Sequence, residues 1–190
     1  NQGSYNPNDR SQLAAENLRN KAITDLFEPG STMKPITMAA ALESGSYAVN
    51  STIDTNPGFR RFGRFTIRDH RNYGVMDMTE IIVKSSNVGI SRIATDLGGD
   101  VIRDLYARLG LGQPTGIGFP GEAVGVLPSP PKWRPVEEAT LSYGYGMSVN
   151  ALQLAQAYMV IANGGVRYPL SLVRQDKKPE GQRVLSEQVT

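Results

Sequence analysis

One stretch restricts what this chain can become more than any other. It is Phe27-Glu28-Pro29-Gly30-Ser31-Thr32-Met33-Lys34-Pro35, followed directly by the apolar run Ile36 to Leu42. Pro29-Gly30 breaks whatever precedes it, and Ser31 is a residue type favoured at helix starts. Met33, Ile36, Thr37, Ala40 and Ala41 then recur at helical spacing, and Gly45 supplies a stop. The spacing predicts a mostly buried helix with Ser31 in its first turn and Lys34 three residues on, along the same face. A serine hydroxyl is a weak nucleophile until a base within hydrogen-bond reach takes its proton. A lysine one turn away can do so if it is neutral. Desolvation and the positive end of a helix dipole both press its pKa downward. The plainer alternative is a helix cap beside a solvated cation, and S-x-x-K is too short to decide between them.

What the chain lacks narrows the choice of base. It has one histidine, His70, and no cysteine among 190 residues. A Ser-His-carboxylate triad would depend on His70, and thiol chemistry, disulfide frameworks and zinc sites built on several histidines are excluded. No metal site or cofactor is expected. Lys34 therefore gains weight as the base. A cysteine-free composition suits an oxidising compartment without requiring one. With 39% hydrophobic and 20% charged residues the chain fits one domain, with or without an appendage, and a net charge of +2 gives no general case for nucleic acid. No apolar run approaches the ~20 residues that a membrane helix needs, and no signal peptide opens the chain.

Along the chain, Asn1 to Arg10 reads as a loop and Leu13 to Asn20 as a short helix. Gly45 to Gly63 reads as irregular, with a turn at Asn56-Pro57-Gly58, and the alternation of Arg64 to Asp69 reads as a short strand. Arg60, Arg61, Arg64, Arg68 and Arg71 are interleaved with Phe59, Phe62 and Phe65. Such a mix can bind single-stranded nucleic acid, but a solvated face over packed rings is the favoured reading. Two helices between Met78 and Leu97 meet at Lys84-Ser85-Ser86-Asn87, a turn that displays Ser85 and Asn87; a cap at Ser85 or Ser86 is compatible with that. A third helix runs from about Asp100 to Leu109. Gln113 to Pro135 is an extended surface connection. Ala151 to Ile161 forms a long amphipathic helix ending at Asn163-Gly164-Gly165. Strand-like pieces follow at Leu170 to Val173 and Arg183 to Leu185, and Ser186 opens a last helical turn. Tyr145, after an apolar run and between Gly144 and Gly146, is expected to line a cleft with Glu28 and His70 at its rim; a ring packed in the core is the alternative.

Two motifs stand in order, S-x-x-K at Ser31 to Lys34 and S-x-N at Ser85 to Asn87. Together with Phe-Glu-Pro-Gly-Ser-Thr-Met-Lys-Pro, Lys-Ser-Ser-Asn-Val-Gly-Ile-Ser, Gly-Phe-Pro-Gly-Glu and Tyr-Gly-Tyr-Gly-Met-Ser-Val, the chain resembles class B penicillin-binding proteins, most of all their septal, division-specific transpeptidases. The resemblance covers essentially the whole chain. It implies an α+β fold of the penicillin-binding protein and serine β-lactamase type, with residues 1–190 forming part of the transpeptidase domain, mainly its helical part. It also implies Ser31 as nucleophile, Lys34 as general base, Ser85 as proton relay and Asn87 as holder of the acyl amide, with Glu28, Gly30, His70 and Tyr145 around the substrate. Implied partners are peptidoglycan stem peptides ending in D-Ala-D-Ala, β-lactams, and a division glycosyltransferase with other division proteins. The implied location is the periplasmic face of the inner membrane, through a single-pass anchor.

The third family motif, Lys-Thr-Gly or Lys-Ser-Gly, has no counterpart here: the glycines after Asn163 are Gly164, Gly165 and Gly181, and none fits. Most of the family's central antiparallel sheet is therefore expected to lie outside this chain, and the segment alone is expected to be inactive. The alternatives are a serine β-lactamase or penicillin sensor of the same fold, or a non-catalytic division scaffold. A class A β-lactamase calls for Glu-x-x-Leu-Asn, and Glu138-Ala139-Thr140-Leu141-Ser142 lacks the asparagine.

Overall fold

The computed structural model describes residues 6, 8, 9, 11 and 19–190. The helix expected over Leu13 to Asn20 and most of the loop expected over Asn1 to Arg10 fall outside the described residues.

A short helix α1 (Lys21–Thr24) leads to the segment that organises the rest. Gly30–Met33 forms a 3-10 turn that runs straight into helix α2 (Lys34–Glu43). Pro35 sits in the first turn, where its missing N–H costs no helical hydrogen bond. Seven of the ten residues of α2 are buried. A helix apolar all round belongs inside a fold rather than on its surface, and α2 is packed on both sides. On one side Ile36 and Ala40 join Ile102, Leu105, Tyr106, Leu141 and Val160. On the other, Met38 and Ala41 meet Ile67, Met76, Ile81, Ile90 and Tyr143.

After α2 the chain makes strand β1 (Thr52–Asp54), a hairpin of β2 (Phe59–Phe62) and β3 (Phe65–Arg68), and strand β4 (Val75–Asp77), which returns antiparallel to β1. In the hairpin, Phe59 faces Arg68 and Phe62 faces Phe65. Its two-residue loop is Gly63-Arg64, and Gly63 at φ 58° supplies the positive φ that such a loop needs. Only β3 was legible as a strand; β1 and β2 fall within the stretch read as irregular. Helices α3 (Met78–Val83), α4 (Asn87–Leu97) and α5 (Gly99–Arg108) follow as expected. Asp77 and Glu80 close a capping box on α3. Helix α6 (Pro135–Leu141) precedes the long α7 (Ala151–Ala162).

The tail corrects one expectation. Leu170 to Val173 is not a strand: Pro169 removes a backbone donor, and the Ser171 hydroxyl binds both the N–H and the carbonyl of Val173. The strands there are β5 (Val166–Arg167) and β6 (Gln182–Arg183), paired antiparallel, so only Arg183 of the second predicted strand is in one. Glu187–Val189 forms a 3-10 turn.

Candidate active site

The segment before the nucleophile is fixed by backbone bonds from distant parts of the chain. Phe27 and Val149 exchange N–H···O=C bonds of 3.0 Å, and the Gly30 N–H donates to the Gly144 carbonyl at 3.2 Å. Gly144 has φ 81°, and a Cβ there would stand 2.3 Å from the Gly30 oxygen, so only glycine allows this approach. Glu28 accepts from the Gly146 N–H at 2.9 Å. Glu28 and Gly30 thus hold the Tyr143 to Gly146 loop against the nucleophile turn. Ser31 is exposed at the helix start, where first-turn N–H groups have no carbonyl of their own helix to meet.

Lys34, one turn on, is 2% exposed. Its Nζ donates to the Ser85 carbonyl at 2.5 Å, to Ser85 Oγ at 2.9 Å and to Asn87 Oδ1 at 2.8 Å. Ser85 can present both oxygens because its backbone is left-handed, φ 52°, the one such non-glycine residue among those described. Ser86 then caps α4, its hydroxyl accepting from the Gly89 N–H at 2.8 Å and donating to Asp69 at 2.6 Å. Asp69 also accepts from the Val88 N–H, so the β3 end is tied to the start of α4. Burial lowers the Lys34 pKa from 10.5 to about 8, while the Asp69 charge pulls the other way.

Ser31, Ser85, Asn87 and His70 line one open cavity of about 160 Å³, with Asp69 and Tyr73. Lys34 was expected to meet the Ser31, Ser85 and Asn87 oxygens; the Ser85 and Asn87 bonds form, and among the described residues none to the Ser31 hydroxyl does. An ammonium has three N–H groups, and Ser85 and Asn87 engage three acceptors' worth. Tyr145 is 50% exposed, so the core-packed alternative fails. It stands edge-on to Tyr143, with ring centroids 5.7 Å apart, and lines a neighbouring groove of about 420 Å³ beside Trp133 and Gly146 rather than the Ser31 cavity. Sequence reasoning passed over Asp69 and Tyr143, and named Ser86 only as a candidate cap and Gly144 only as a neighbour of Tyr145. For Ser86 and Asp69 the available signal was the polar break at 84–87, whose cap needed a carboxylate neighbour.

A nucleophile turn, a desolvated lysine and an S-x-N turn assembled in this order match one family model. The description "Penicillin binding protein transpeptidase domain" matches residues 1–190. The chain belongs to this transpeptidase family. It is 41% identical over 186 residues to the probable peptidoglycan D,D-transpeptidase PbpC of Pseudomonas aeruginosa, covering 98% of this chain and 33% of the relative. It is 41% identical over 189 residues to the peptidoglycan D,D-transpeptidase FtsI of Escherichia coli K12, covering 100% of this chain and 32% of the relative. Among solved structures, the apo TP domain of Burkholderia pseudomallei penicillin-binding protein 3 is similar with a TM-score of 0.85 and 39% identity, over 90% of this chain and 53% of that one. The fold is accordingly the α+β fold of penicillin-binding transpeptidase domains, and the chain spans about a third of the length of these curated relatives.

Proposed function

We propose that the full-length protein is a serine D,D-transpeptidase that cross-links peptidoglycan stem peptides at the division septum, and that β-lactams inhibit it by acylating Ser31. The observation that carries this reading is the buried Lys34 amine held by Ser85 and Asn87 one helical turn from the exposed Ser31. In the reaction, Ser31 Oγ attacks the carbonyl of the penultimate D-alanine and Lys34 takes its proton. The terminal D-alanine leaves as an amine, protonated through Ser85, whose Oγ lies 2.9 Å from the lysine. The Ser31 N–H serves one side of the oxyanion. Asn87 orients the acyl amide. A second stem peptide's amine then attacks the ester, forming the cross-link and freeing Ser31.

Among the described residues no glutamate lines the Ser31 cavity to activate water as a class A β-lactamase would need: Arg134 holds Glu137, and Glu138 accepts from the Gly99 N–H. No helix among the described residues is long and apolar enough to cross a membrane. The proposed membrane anchor, periplasmic location and division partners therefore rest on the resemblance. Labelling of the full-length protein with a fluorescent penicillin, followed by peptide mapping, tests the reading. The adduct is expected on Ser31 and absent in Ser31→Ala; labelling that persists in that variant overturns the assignment.

A further inference from the structure

The β2–β3 hairpin carries a row of cations that the proposed chemistry leaves unused. Its arginines rest on aromatic faces: Arg61 lies 5.6 Å and Arg68 5.3 Å from the Phe59 ring centroid, and Arg64 lies 5.2 Å from that of Phe65. Arg71 lies 5.3 Å from the Tyr73 ring. Arg60 also rests on a ring, 4.8 Å from that of Phe62, but it turns inward and donates to the Ser91 and Thr95 hydroxyls. None of Arg61, Arg64, Arg68, Arg71 and Lys84 is among the ion pairs of the described residues, which are Arg19–Asp25, Arg108–Asp104 and Arg134–Glu137. The nearby carboxylate, Asp69, is already engaged by Ser86 and Val88.

This cationic row is continuous with the active site, since Arg68 and Lys84 line the same cavity as Ser31. Like charges gathered without partners repel one another, so an anionic occupant relieves an existing cost. Stacking on a ring also holds each guanidinium plane before the partner arrives, which lowers the entropy lost on binding. A planar guanidinium fork matches a carboxylate in bidentate fashion. Continuity with the nucleophile's cavity favours a peptide substrate over a membrane surface or a nucleic acid.

We propose that the Arg61 and Arg68 face of the β2–β3 hairpin, with the loop residue Arg64 and with Lys84, is a docking strip for the free carboxylates of the peptide strand that enters the Ser31 cavity. The proposal rests on the transpeptidase reading and adds where the substrate's acidic groups lie. Arg61 and Arg64 do not line the cavity and are the residues to test. The full-length protein and its Arg61→Gln/Arg64→Gln variant are compared for binding of a labelled stem pentapeptide by fluorescence anisotropy. The peptide is used with its side carboxylates free and again with them amidated. The variant is expected to lose about tenfold in affinity for the free form, the sum of two exposed ion pairs, and nothing for the amidated form. Wild-type affinity for the free form should fall with added salt. Equal losses on both peptides, or no loss on either, overturn the proposal. So does a variant that loses binding to phosphatidylglycerol vesicles while its peptide affinity stays unchanged. Fluorescent penicillin labelling, run in parallel, separates the two readings. A wild type that fails to label sinks the transpeptidase reading; normal labelling with unmoved peptide affinity sinks only the docking strip.

Discussion

Burial of Lys34 sets the pH at which Ser31 should acylate, and Asp69 is the handle that moves it. With a pKa of about 8 the amine is neutral in about 1% of molecules at pH 6, about 9% at pH 7 and about half at pH 8. If neutral Lys34 takes the serine proton, acylation by penicillin rises about 50-fold from pH 6 to pH 8 and gains less than twofold beyond pH 9. Left at its ordinary 10.5, the same lysine would be neutral about 300-fold less often at pH 7. Desolvation is the larger influence, and the Asp69 charge opposes it. Asp69→Asn keeps an acceptor for the Val88 N–H while removing that charge, so the midpoint should move to lower pH. Stopped-flow acylation across pH 5.5–9.5 on the full-length wild type and variant reads both effects. A flat wild-type profile, or a variant midpoint that moves upward, would refute Lys34 as the titrating base. Folding carries the same sign. The native pKa lies below the unfolded one, so this residue adds stability as pH rises from about 8 to 10.5 and contributes no such gain below that window.

Lys34→Arg keeps the charge but cannot supply a neutral base, so acylation should fall by the ~10²–10⁴-fold of a lost general base; a near-normal rate would leave Lys34 a positioning role. Tyr106 Oη lies 2.6 Å from Thr37 Oγ1 in the core, and Tyr106→Phe should cost about 1 kcal/mol in denaturant unfolding with acylation little changed. Ile36→Ala, at a fully buried position of α2, should cost about 2–5 kcal/mol in the same measurement. Gly144→Ala forces a Cβ onto the Gly30 carbonyl, so slower acylation and a lower Tm should appear together; unchanged acylation would mean that the Gly30–Gly144 contact does not position Ser31.

Helices α2, α3, α4, α5 and α7 were legible because their apolar spacing matches the helical period and their ends carry ordinary signals, whereas the short α1 and α6 were not read as helices. Asp77 before Met78, Gly98 after Leu97 and Asn150 before Ala151 are examples. The short strands were not. β1 and β4 contribute three residues each, too few for alternation to show, and β2 is half arginine. Gly63-Arg64 between Phe62 and Phe65 was the available hairpin cue. At the site, residue types pointed to Ser31 and Lys34 and the family resemblance to Ser85 and Asn87, and the structure places the last three in one hydrogen-bonded group. The Ser85 carbonyl as the third acceptor of Lys34, in place of the Ser31 hydroxyl, was not legible, because it depends on a left-handed backbone at a serine. Nor was the placement of Tyr145 in the groove next to the cavity, since sequence spacing says nothing about which side of a loop a ring falls on.

The left-handed backbone at Ser85 also bears on how this fold could be engineered. A serine at φ 52° carries about 1 kcal/mol of conformational cost that glycine would not. A redesign scored on backbone conformation alone would therefore favour Ser85→Gly. That change relaxes the turn and leaves its carbonyl available to Lys34, but deletes the hydroxyl beside the amine. The resulting protein would ease the turn but lose one of the three acceptors of its buried amine, a bond to a charged group worth about 1.5–3 kcal/mol, together with the group proposed to return a proton to the departing amine. Backbone ease and side-chain chemistry pull in opposite directions at this one residue.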